Sequence, residues 1–156
     1  MPVLNRALGS ARWDRLIQSN GELKSEVGWP ELAQQVAQAY NSLPVAERPG
    51  AAILAASSGE IGAIDMYGPA YGLPKAISGF DSYWQDGYGN PPPETLVVVG
   101  FDNDLLMYFH DCTLIGPIRV PFNVPNDELN DKRAIYVCHH LTVSWPLFWE
   151  HFQYFG

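Results

Sequence analysis

The sequence predicts an α/β fold, a three-layer α/β/α sandwich around a mixed, largely parallel sheet of about five strands. Three observations carry that prediction. Short apolar runs bounded by turn residues recur at residues 51–56, 95–100 and 134–141, segments with helical spacing alternate with them, and helix-start signals stand at Ser57-Ser58-Gly59-Glu60 and at Ser144. A strand that leads directly into a capped helix is half of a βαβ unit, the piece from which parallel sheets are built.

Taken in order, residues 1–28 are polar and weakly periodic, and they read as a tether ahead of a single domain over residues 29–156. Trp29, Leu32, Val36, Ala39, Tyr40 and Leu43 then fall at helical spacing, with Pro30 tolerated in a first turn and Pro44 as the stop. Ala51 to Ala56 suits a strand covered on both faces. The Ser57 hydroxyl and Glu60 carboxylate three residues on form a capping box, and Ile61, Ile64, Tyr67 and Tyr71 make the face of the helix it starts. A short strand is expected at residues 75–78 and a buried, valine-rich one at 95–100. Asp102 offers a cap for a further helix whose entry is stapled by Phe101 on Leu106, with Leu105 and Phe109 facing inward. Residues 112–120 and 134–141 read as strands joined by a long loop, and Ser144 caps a final helix with Trp145, Phe148, Trp149, Phe152 and Phe155 on one face.

Composition narrows the function classes. Hydrophobic residues at 47% and charged residues at 17% describe a globular chain of 156 residues, long enough for one core. Nine Lys and Arg against 17 Asp and Glu leave a formal net charge of −8, which repels phosphate backbones and makes nucleic acid an unsuitable partner. No apolar stretch approaches the roughly 18 residues of a membrane span, and the N-terminus lacks the layout of a signal peptide. Cys112 and Cys138 both sit in strand-like runs; one bridge between neighbouring strands is open to them, and two separate buried thiols are the plainer expectation.

The candidate chemistry is sparse. Ser57-Ser58-Gly59 lies where a strand ends and a helix begins, a place suited to anions, but Glu60 opposes an anion and a capped helix explains the same residues. Cys138-His139-His140 and His110-Asp111 are the densest ligand-type clusters. Alternation along a strand lets Cys138 and His140 share a face and excludes His139 from it, so neither a metal site nor a Cys nucleophile with a His base is complete. Residues 67–93 gather Tyr71, Tyr83, Trp84 and Tyr88 with Asp81, Gln85, Asp86 and Asn90 among glycines and prolines. Aromatic faces beside polar acceptors hold sugars, while the same residues also serve to pin a long loop to a core; composition alone favours the pin.

In this region the chain resembles a known family. The run Ala55-Ala56-Ser57-Ser58-Gly59-Glu60-Ile61-Gly62-Ala63-Ile64-Asp65-Met66-Tyr67-Gly68, then Tyr71-Gly72-Leu73-Pro74 and Ile77-Ser78-Gly79-Phe80-Asp81-Ser82-Tyr83-Trp84, resembles the C-terminal soluble domain of bacterial membrane glycosyltransferases related to the dolichyl-phosphate-mannose-protein mannosyltransferases. Met1-Pro2-Val3-Leu4 is similar to the segment after their last transmembrane helix, residues 29–44 to their first soluble helix, and Ile135-Tyr136-Val137-Cys138 to their last strand. The resemblance implies an extracytoplasmic accessory domain, tethered at the periplasmic face of the inner membrane through residues 1–28. Its parent moves a sugar from a polyprenyl-phosphate donor and keeps its catalytic acids in an external loop of the membrane part, so no catalytic residue and no cofactor or metal is expected in this domain. The implied partners are the transmembrane helices of its own parent chain and a glycan or lipid-linked sugar. Ser58, Glu60, Tyr67, Asp81, Tyr83 and Trp84 are then the residues expected to contact substrate or the membrane part. The alternative is a stand-alone α/β module that binds a sugar or sugar phosphate.

Overall fold

A computed structural model of the chain describes residues 28–118 and 134–155. The expected tether and the loop at 121–133 therefore lie outside the described residues, apart from Gly28. The first helix, α1 (Trp29–Asn41), has Pro30 in its first turn, where a missing N–H costs nothing, and buries Leu32, Ala33, Val36, Ala37 and Ala39. Its C-terminal carbonyls are served from beyond the helix. Arg48 donates from Nη2 to the Asn41 carbonyl at 2.6 Å and from Nε to the Leu43 carbonyl at 3.2 Å, placing a cation at the negative end of the helix dipole.

Strand β1 (Ala51–Ala55) leads into α2 (Ser58–Tyr67), whose cap is Ser57: its Oγ accepts from the Glu60 amide at 3.4 Å and donates to Glu60 Oε1 at 2.7 Å. The chain returns through β2 (Ala76–Ile77), where the Ala76 amide donates to Asp65 Oδ1 of α2. Strand β3 (Thr95–Val99) follows, buried at all five positions, then β4 (Phe109–Pro117) and β5 (Ala134–Leu141). The strand order is β2-β1-β3-β5-β4. The β1 ladders to β2 and β3 are parallel, and the β3–β5 and β5–β4 ladders are antiparallel, so the sheet divides evenly where the sequence suggests a parallel majority.

Alternation along β3 shows why both faces are apolar. Val97 and Val99 join Leu32, Val36, Ile53, Ile61 and Ile64 under α1 and α2, while Leu96 and Val98 face Leu105, Phe109, Phe148 and Trp149 on the other side. The second face is covered by α3 (Trp145–Glu150) and by 3₁₀ turns.

Three local expectations change. The segment after Asp102 is a 3₁₀ helix over Asn103–Tyr108 without a side-chain cap bond from Asp102, and Phe109 already belongs to β4. The link from β3 must step over β5, about 10 Å in sheet spacing, and a 3₁₀ helix advances about 2.0 Å per residue against about 1.5 Å for an α-helix. The final helix is capped by Ser144 as expected but ends at Glu150, and Phe155 is exposed. Beyond it the chain runs beside residues 79–81, with the Tyr154 amide donating to the Gly79 carbonyl at 2.9 Å and the Asp81 amide to the Tyr154 carbonyl at 2.7 Å. Finally, Cys112 and Cys138 are one disulfide rather than two thiols. They stand directly opposite each other on β4 and β5 with Cα atoms 4.1 Å apart, a register that spacing in the sequence does not reveal.

Candidate functional site

The carboxyl ends of β1, β2 and β3 meet at the point where the chain switches from one side of β1 to the other, the position at which open α/β sheets form crevices. Here the crevice is occupied by the protein itself. Glu60 is only 2% exposed, and Gly100, at φ 87°, has the Glu60 carboxylate where a Cβ would stand. The group at the helix start is thus an acid, the wrong partner for a phosphate. Tyr154 closes the same end, its hydroxyl donating to the Ala56 carbonyl at 2.6 Å and lying 3.5 Å from the hydroxyl of buried Ser78.

The six residues expected to make contacts are not one cluster. Ser58 is exposed at the first position of α2, two residues before buried Glu60. Tyr67, 37% exposed, ends the same helix about 13 Å away along its axis. Asp81 returns to the crevice end: its main chain is tied to Tyr154 and to Gln153 Nε2, and its side chain is exposed at a backbone φ of 48°. Tyr83 is 36% exposed in the turn that follows. Trp84 is half-buried and structural in its bonding, since its Nε1 donates to the Trp149 carbonyl at 2.7 Å and Trp149 Nε1 donates back to the Trp84 carbonyl at 3.0 Å. For Trp84 the pinning role that composition favours is the one observed.

The histidine clusters resolve differently. His139 Nδ1 lies 2.8 Å from Asp111 Oδ1 on the neighbouring strand, and its Nε2 lies 3.1 Å from Glu47 Oε1 in the α1–β1 connection. The ring is a strap between the sheet and that connection. No group of three or more His, Cys, Asp or Glu among the described residues is arranged to hold a metal ion. With its sulfur bonded to Cys112, Cys138 has no thiolate to act as a nucleophile.

At the opposite end of the sheet, a cavity of about 500 Å³ opens between residues 92–94, the start of β3, the end of β5 and Trp145. Leu96 and Phe109 form its apolar base above the disulfide, and the exposed side chains of Glu94, His140 and Ser144 stand around it. Cys138 and His140 both line it. Trp145 is fixed by its Nε1 bond to the Pro93 carbonyl at 3.1 Å and by Tyr88 stacked at 4.9 Å. The sequence marks Trp145 and Tyr88 as aromatic anchors, but nothing in it joins residues 93–94 to 140–145; only the β3–β5 pairing does.

No family model matches the chain, and no curated protein or solved structure matches it either.

Proposed function

We propose that this chain is the extracytoplasmic accessory domain of a polytopic glycosyltransferase that takes a sugar from a polyprenyl-phosphate donor. In this reading the domain docks on the transmembrane helices of its own parent and positions the acceptor or the lipid-linked sugar, while the acids that move protons lie elsewhere in the parent. The observation that carries it is the Cys112–Cys138 bridge, which supports residence in an oxidising compartment such as the periplasmic face of the inner membrane. The sequence resemblance over residues 55–84 supplies the enzyme class. The two covered faces of the sheet are read as the outer layers of an α/β/α sandwich, with exposed Ser58, Asp81 and Tyr83 available for docking near the crevice end. Neither a cofactor nor a nucleic acid enters this reading.

Two measurements test it. Chain isolated from its native cells and alkylated without reduction should carry no label on Cys112 or Cys138; label on both removes the support for an oxidising compartment. Incubated alone with a polyprenyl-phosphate sugar and acceptor peptides, the chain should transfer nothing, and turnover would replace the accessory role with a catalytic one. The alternative, a stand-alone module for a small polar ligand, draws on the cavity beside Trp145.

A further inference from the structure

The geometry points to the cavity beside Trp145 as a binding site for an uncharged sugar ring. Its size, about 500 Å³, falls within the range of small-molecule sites. Its chemistry is divided as a sugar is divided. Leu141, Val143 and the part of the Trp145 ring that Tyr88 leaves uncovered present apolar surface to the face of a ring, above the buried side chains of Leu96 and Phe109. Around that surface stand a carboxylate that accepts from hydroxyls, an imidazole with both kinds of nitrogen, and the Ser144 hydroxyl, which keeps its proton to donate because its oxygen already accepts from the Leu147 amide.

The lining also selects against rival ligands. It holds no Lys or Arg, and Glu94 repels a phosphate or carboxylate. An organic cation is held by several aromatic faces turned toward it, and Trp145 is the one Phe, Tyr or Trp side chain of this lining that is not buried. The frame is held in advance of any ligand: the Trp145 ring by Pro93 and Tyr88, and the main chain at Glu94 by the hydrogen bond its N–H donates to the Gly50 carbonyl. His140 adds a separate observation. It takes φ 61° near the end of β5, a conformation that L side chains adopt at a cost, and strain of this kind gathers where a side chain must be aimed.

This site lies at the other end of the sheet from Ser58 and Asp81, and the inference does not depend on a parent glycosyltransferase. The test is a nuclear magnetic resonance titration of the full chain with mannose, glucose, mannose 1-phosphate and choline. Saturable shifts in the Trp145 indole N–H and in the amides of residues 94–96 and 140–145 are expected for a neutral sugar, with weaker binding of the phosphate. Glu94→Gln should weaken the neutral sugar by about tenfold, the size of one hydrogen bond, and narrow its advantage over the phosphate. His140→Gly should weaken it by a similar factor, about tenfold, while the melting temperature holds or rises, because glycine accepts the positive φ. Absence of saturable shifts at these residues, preference for choline or the phosphate, or unchanged affinity in both variants overturns the assignment.

Discussion

The two faces of the sheet are held by different means. Under α1 and α2 the contacts are aliphatic, with Leu32, Val36, Ile53, Ile61, Ile64, Val97 and Val99 packed together, and each helix brings its own apolar stripe and end signals. The other face is aromatic and cross-tied. Trp84 and Trp149 exchange indole–carbonyl bonds across 65 positions, Tyr88 stacks on Trp145, and the disulfide lies in the same layer. The side bonds on the first face, from Arg48 to the end of α1 and from the Ala76 amide to Asp65, tie neighbouring segments, whereas those of the second fix a long connection between β2 and β3. A surface whose segments cannot form helices by themselves needs that orientation from elsewhere.

Substitutions on each face measure the difference. The largest effect is expected from Ile64→Ala, a fully buried side chain on the aliphatic face, at about 2–5 kcal/mol in denaturant unfolding, with a single transition for the whole domain. Next comes the disulfide. Replacing both cysteines by serine reopens a connection of 26 positions, for which chain entropy gives about 3.5 kcal/mol. If the aromatic face depends on its ties, that variant should also gain amide exchange across α3 while α1 stays protected; equal loosening of both helices would erase the contrast between the faces.

Trp84→Phe is smaller and sharper. It keeps a ring but removes the indole donor to the Trp149 carbonyl, which still accepts from the Phe152 amide, at about 0.5–1.5 kcal/mol, and its exchange changes should concentrate in residues 79–93 and 145–150. The smallest effect is expected from His139→Gln. Its strap to Asp111 and Glu47 is partly exposed, so loss of the pair should cost less than about 1 kcal/mol in a denaturation curve.

The contrast also explains what could be read in advance. The helix at residues 29–41, the Ser57 and Ser144 caps and the strands are signalled by neighbours within a few positions, and all are present. The disulfide, the Trp84–Trp149 exchange and the strap at His139 depend on register between distant segments, and no local spacing encodes register. The final helix fails for a related reason: Phe152 keeps its helical spacing, yet the chain leaves the helix because the main chain at Tyr154 pairs with Gly79 and Asp81. In the candidate sites, Trp84 is legible as an aromatic of the loop but not in its bonding; His140 stands out only as part of the Cys138-His139-His140 cluster and Glu94 carries no signal, because their shared neighbourhood exists only after β3 and β5 pair.

The contact between Glu60 and Gly100 binds the histories of two distant codons. A protein descended from the same ancestor that retains the acid at the first position has no room for a side chain at the second, and φ 87° adds a conformational reason for glycine. Drift at either place is therefore conditional: shortening the acid must come before any side chain can enter beside it, so the order of replacements in a lineage is set by the space within one crevice.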